Sequence, residues 1–169
     1  VTYIACGHLY SMVISNHDLF AFGQGGHGQL GLGNTKDQLV PTKVNIKGVV
    51  SVSCGAGHSL ILTKEGLFSC GCNDDGQLGL GDNNHRDIFT KIEAKGIISF
   101  CCGGSHSLIL TEKGLFGFGW NDSNQLDLDG EYIDIPTKIN IDNVVGLSCG
   151  WDYSLILTNN GTVFYFGFD

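Results

Sequence analysis

The stretch VVSVSCGAGHSLILT at Val49–Thr63, followed at Gly71–Gly81 by GCNDDGQLGLG, decides the fold. By itself the second segment looks like a phosphate-binding loop. It recurs, however: GQLGLG stands at residues 28–33 and again at 76–81, with NQLDLD at 124–129. The first segment recurs in step. Cys6, Cys54 and Cys102 lie 48 residues apart, Cys149 follows 47 later, and each is followed by glycine. Each Cys-Gly pair leads to a matching apolar run: SMVI at 11–14, then SLIL at 59–62, 107–110 and 154–157. LFAFG, LFSCG, LFGFG and VFYFG come next, and PTKV, FTKI and PTKI close the first three copies. Self-similarity at a period of 20–50 residues signals a solenoid or a propeller.

The repeating unit reads as β structure. Its apolar segments are short, rich in Val, Ile, Leu, Phe and Thr, and separated by glycine or charged turns. The second copy predicts strands at 49–54, 59–63, 67–70 and 90–92, four strands that match one propeller blade. Alternation within its first strand sets Val50, Val52 and Cys54 on one face and Ser51 and Ser53 on the other. The later copies read likewise, with Ile98, Phe100 and Cys102, and with Val145, Leu147 and Cys149, on the bulky face. A face of bulk against a face of small residues suits crowding near an axis, so this strand is expected innermost. Gly66, Gly114 and Gly161 supply the positive φ of the turn between second and third strands, and Asp18 stands in that place in the first copy.

These motifs resemble the repeat of the regulator of chromosome condensation family, V-x-x-V-x-C-G-x-x-H-S-L-x-L-T followed by G-x-N-x-x-G-Q-L-G-x-G. The resemblance runs along the whole chain. It implies an all-β fold, a β-propeller of four-stranded antiparallel blades in a ring of seven. On that reading residues 1–169 form a single partial propeller of about three and a half blades, with repeats at about 1–48, 49–96, 97–143 and an incomplete 144–169. Gly55, Gly71, Gly76, Gly79 and Gly81 are its structural glycines. The third copy departs from the pattern with Asp127 and Asp129 in place of two glycines, which predicts a different turn there. The first copy has Gly25 where the others have Asn73 and Asn121.

Composition narrows the function. The net charge is −8, from 9 Lys+Arg and 17 Asp+Glu, which disfavours nucleic-acid or anionic-membrane binding. No apolar run approaches the length of a membrane span. The 7 cysteines show neither metal-ligand nor disulfide-scaffold spacing, so they read as small buried hydrophobes of a reducing, intracellular compartment, cytoplasmic or nuclear. No Lys-Ser/Thr follows Gly81, so the glycine loop is a turn and not a phosphate cradle. Asp74, Asp75, Asp122, Asp127 and Asp129 do not follow the EF-hand pattern and read as solvated loop carboxylates. His58 and His106 share one repeat position with Tyr10 and Tyr153, and a catalytic histidine is not exchanged for tyrosine blade by blade.

No catalytic, cofactor or metal residues are therefore expected. The leading expectation is a non-catalytic protein-interaction scaffold, with Tyr10, His58, His106, Trp151 and Tyr153 as candidate contacts for a protein partner. The resemblance implies two alternatives: a guanine nucleotide exchange factor, or part of one, for a Ran-like small GTPase, and the regulatory propeller of a larger kinase or ubiquitin-ligase chain. The even spacing of the copies leaves no room in these residues for the inserted hairpin with which the founding member contacts its GTPase.

Overall fold

The computed structural model describes residues 1–168. Their strands form four antiparallel sheets, each built from consecutive segments. The first sheet comprises β1 (Tyr3–Cys6), β2 (Tyr10–Ser15), β3 (Asp18–Gly23) and β4 (Gln38–Lys43). The second comprises β5 (Val49–Cys54), β6 (His58–Thr63), β7 (Gly66–Gly71) and β8 (Arg86–Lys91). The third comprises β9 (Ile97–Cys102), β10 (His106–Thr111), β11 (Gly114–Trp120) and β12 (Tyr132–Ile139). The fourth has three strands among the described residues, β13 (Val144–Cys149), β14 (Tyr153–Thr158) and β15 (Val163–Gly167). These are blades of a partial β-propeller. Successive first strands β1, β5, β9 and β13 lie against one another, which places them nearest the axis. No helix among the described residues is long and apolar enough to cross a membrane.

The core lies between the sheets. Met12, Ile14 and Leu19 of the first blade pack with Val49, Val52 and Ile61 of the second. Leu60 and Leu67 of the second pack with Leu108, Ile109 and Phe118 of the third and Ile156 of the fourth. Each such side chain contributes about 1.5–3 kcal/mol on burial, so every blade is held mainly by its neighbours. This explains the unbroken SLIL runs. A strand sandwiched between two blades is buried on both faces, and β10 is buried at every residue.

Three expectations need correction. The innermost strands do not alternate cleanly, because a β-bulge interrupts each of β5, β9 and β13. Val49 pairs with Thr63 and Ser51 with Leu62, so Val50 is the unpaired extra residue. Ile98 and Val145 hold the same place, and all three side chains are exposed. Val49, not Val50, is the buried anchor of its strand. The outer strand of the second blade begins at Arg86, ahead of the expected 90–92, because the main chain from Arg86 onward still pairs with β7. Finally, Asp18 does not carry the positive φ of the first hairpin turn. Asn16 and His17 do, at 52° and 64°, which makes a two-residue turn of the type I′ kind.

Candidate functional site

The repeat position held by Tyr10, His58, His106 and Tyr153 opens each second strand, directly after the Cys-Gly loop. Its ring lies over the glycine of its own blade. A Cβ added to Gly55 or Gly103 would collide with the ring of His58 or His106, and would also meet the Gly103 or Gly150 carbonyl of the next blade at 2.5 and 2.8 Å. Glycine is needed here for close approach near the axis.

The polar ends of the Tyr10, His58 and His106 rings reach the following blade. The Tyr10 hydroxyl donates to the His58 carbonyl, and the Ser59 hydroxyl lies 2.9 Å from it. His58 Nε2 meets Ser107 Oγ at 2.9 Å, and His106 Nε2 meets Ser154 Oγ at 3.0 Å. The Ser107 hydroxyl donates to the Gln77 carbonyl at 3.1 Å. Its proton is thus committed, so the His58 proton sits on Nε2 and donates to Ser107. Gln77 belongs to the glycine loop of the second blade, so that loop and the histidine grip one serine of the third. Ser59 repeats this one blade earlier, with Gln29 as its acceptor.

These groups cannot serve as a solvent-facing site. Tyr10, His58 and His106 are buried, which removes them from the candidate partner contacts and assigns them to the joints between blades. Burial lowers the His58 pKa to about 3, with the neighbouring His106 adding to the effect, and lowers His106 to about 4. Both imidazoles are neutral at physiological pH. Burial, with the nearby Cys54 thiol, holds the Tyr10 phenol well above its usual range. The Cys54 thiol is pushed up by burial to about 12. It is therefore a packed hydrophobe and not a nucleophile. Cys70 and Cys102 are buried, Cys54 is half-buried and Cys6 is exposed.

Among the described residues Trp151 and Tyr153 are 55% and 39% exposed, and Tyr153 holds the joint position of a blade with no described successor. Trp151 packs beside Gly104, and its ring meets His8 edge-to-face with centroids 5.2 Å apart. The two flank a recess of about 220 Å³ at the axial mouth, floored by the Cys-Gly loops of all four blades. The sequence reading did not single out His8. Its signal is that it departs from the repeat, standing where the later copies have Ala56, Gly104 and Trp151.

The glycine loops form the rim. The loop of one blade docks on the outer strand of the next: Gly28 rests on Arg86 and Asp87, and Gly76 on Ile133 and Asp134. Gly33 and Gly81 donate their N–H groups to the Asp87 and Asp134 carbonyls, at 2.8 and 2.9 Å. Gly71 and Gly79 are equally enclosed, by the Gly57 carbonyl and the Phe118 ring. Asn73 and Asn121 fasten their loops from inside, accepting from the Leu78 and Leu126 N–H groups at 2.9 Å each. In the first blade Asp37 takes over part of that task by accepting from Gly25 N–H at 2.9 Å.

A family model for the "Regulator of chromosome condensation (RCC1) repeat" matches residues 16–62, 64–110 and 114–157. The chain belongs to this repeat family. A second model of the same repeat matches residues 49–77 and 97–125. The longer matches begin at or shortly before a third strand and end in the second strand of the next blade, so the family's sequence repeat is offset from the structural blade. The fold is similar to the crystal structure of human WBSCR16, with TM-score 0.86 and 29% identity over 98% of this chain and 46% of that one. It is also similar to yeast RCC1 (Prp20) in a structure bound to Kap60, with TM-score 0.88 and 24% identity over 98% of this chain and 43% of that one. A Saccharomyces cerevisiae Prp20p structure, reported with its binding properties to Gsp1p and histones, gives TM-score 0.81 and 25% identity over 98% and 43%. The chain thus spans less than half the length of each of these proteins.

Proposed function

We propose that this chain is part of a non-catalytic protein-interaction scaffold, a propeller of seven blades in its complete form, that works inside the cell and presents its axial mouth to a protein partner. The observation that carries this reading is the Trp151–His8 pair, an exposed aromatic anchor beside a recess floored by the Cys-Gly loops. Tryptophan is enriched among the few residues that dominate binding energy. The repeated histidines and serines are meanwhile occupied in joining blades. The test is a photo-crosslinker at position 151 of the full chain. One defined protein should be captured, and its binding to the unmodified chain should fall at least about tenfold in Trp151→Ala, the effect of losing a modest hot spot. Unchanged binding in Trp151→Ala would move the contact off this face.

A second reading follows from the similarity to Prp20p: the chain contributes to a nucleotide exchange factor for a Ran-like GTPase. Nucleotide release from such a GTPase should then accelerate when the full chain is added. An unchanged release rate removes this reading and leaves the scaffold intact.

A further inference from the structure

We propose that His27, Cys72, Asp74 and His85 form a binding site for a divalent transition-metal ion of the zinc type, bridging the first and second blades at the rim. Ligand atoms of His27, Cys72 and His85 all lie within 4.8 Å of one another. Asp74 borders two of them, with Oδ2 3.4 Å from Cys72 Sγ and Oδ1 3.1 Å from His85 Nε2. Cys72 Sγ and His85 Nε2 are 3.9 Å apart. A tetrahedral zinc ion with bonds of about 2.3 Å to sulfur and about 2.0–2.1 Å to nitrogen or oxygen needs ligand atoms about 3.3–3.6 Å apart. The three separations among Cys72, Asp74 and His85 bracket that range. The ligand atom of the exposed His27 lies within 4.8 Å of those of Cys72 and His85, and a turn of its ring would let it close the site as the fourth donor.

The donor set suits such an ion. One thiolate, two imidazoles and one carboxylate favour zinc over calcium or magnesium, which take oxygen ligands. On ligation the Cys72 thiol releases its proton to solvent and the sulfur binds as thiolate.

The fold brings the donors together through the rim joint. Gly28 rests on Arg86 and Asp87, which sets the neighbouring His27 of the first blade beside His85 of the second. The loop bearing His85 is braced. Asp82 accepts from Arg86 Nη2 at 2.6 Å and from Asn84 N–H at 2.8 Å, and Asn83 Nδ2 donates to the Asp74 carbonyl at 2.8 Å. Gly57 borders the site: a Cβ there would stand in ordinary contact with Cys72 Cβ, at 3.4 Å, and with the His27 ring, at 3.5 Å.

The donors also stand outside the repeat. The positions of Cys72 and His85 hold Gln24 and Asp37 in the first blade. In the third they hold Trp120 and Tyr132, which pack edge-to-face at 5.4 Å. His27 corresponds to Asp75 and Ser123. The framework does not require a cysteine and two histidines at this corner, and among the described residues only this junction has them.

The test uses the full chain, stripped with a chelator and titrated with Co(II) as a spectroscopic stand-in for Zn(II). One equivalent should bind with thiolate-to-cobalt charge transfer and tetrahedral visible bands. Cys72→Ser should abolish the charge-transfer band, and His27→Ala and His85→Ala should each abolish stoichiometric binding. Cys6→Ser, which alters the exposed cysteine outside the site, should leave both intact. Zn(II) should raise the unfolding temperature of the unaltered chain and not that of Cys72→Ser. Absence of saturable binding, binding without the thiolate band, or equal binding by Cys72→Ser would each overturn the proposal.

Discussion

The junction between the second and third blades and the junction between the third and fourth share one inner joint and differ at the rim. Inside, His58 meets Ser107 and His106 meets Ser154 at nearly the same distance. Outside, Gly76 and Gly79 of the second loop are enclosed by the third blade. The matching residues of the third loop are Asn124 and Asp127, and no outer strand of the fourth blade stands against them among the described residues. Both adopt the left-handed backbone, at φ 58° and 52°. The loop core therefore keeps its geometry despite the substitutions, contrary to the expectation of a different turn, and departs only later, where Gly130 at φ 103° takes over from Asp129. Left-handed backbone is required at both loops by the turn itself. The lack of a Cβ at Gly76 and Gly79 is required by the third blade, which closes in on both.

The shared inner joint predicts the largest effect. His58 and His106 titrate near 3 and 4 in the folded chain and near 6.5 when unfolded. Below pH 6.5 the unfolded state takes up protons that the folded state refuses, so stability falls with acidification until the folded pKa values are reached. From pH 7 to pH 5 the two histidines together should cost on the order of 3 kcal/mol. Denaturant midpoints measured across that range should show it. His58→Tyr, which copies the Tyr10 joint, should fold and remove about half of the slope. An unchanged slope would mean that the joint opens to solvent.

The rim contrast is tested next. Gly76→Ala would set a Cβ 2.7 Å from Asp134 Cα on a backbone at φ 79°, and should destabilise by about 3 kcal/mol. Asn124→Ala exchanges one residue with a Cβ for another at φ 58°, adds no atom toward a neighbouring strand, and should cost about 1 kcal/mol or less, chiefly from left-handed strain. Equal losses in chemical denaturation would show that docking is not what demands glycine. The smallest effect is expected from Asp127→Gly, which relieves a left-handed aspartate and should stabilise by about 0.5–1 kcal/mol. A loss in its thermal unfolding profile would point to a contact made by the carboxylate.

Much of the fold was legible in the chain. The period of 48 marked the blades, the Cys-Gly pairs marked the inner loops, and Gly66 and Gly114 marked hairpin turns at φ 131° and 118°. The exchange of His for Tyr at one repeat position pointed to a structural role, but not to which atom each ring would meet. The bulges at Val50, Ile98 and Val145 were not legible, because a period-two pattern cannot show an extra residue whose neighbours are also apolar. The corner of His27, Cys72, Asp74 and His85 was hidden for another reason. Its residues come from two blades, and no spacing along the chain relates them.

The sequence by itself determined the blade: its strands, its turns and the residues that recur at each joint. These depend on local alternation, on turn chemistry and on a period that one chain displays in full. Only the tertiary structure decided what each copy faces. HSLILT is identical at 58–63 and 106–111, yet Leu62 is only half-buried whereas Leu110 is buried. Burial depends on the sheet that lies on either side, and that neighbour is absent from a strand's own sequence.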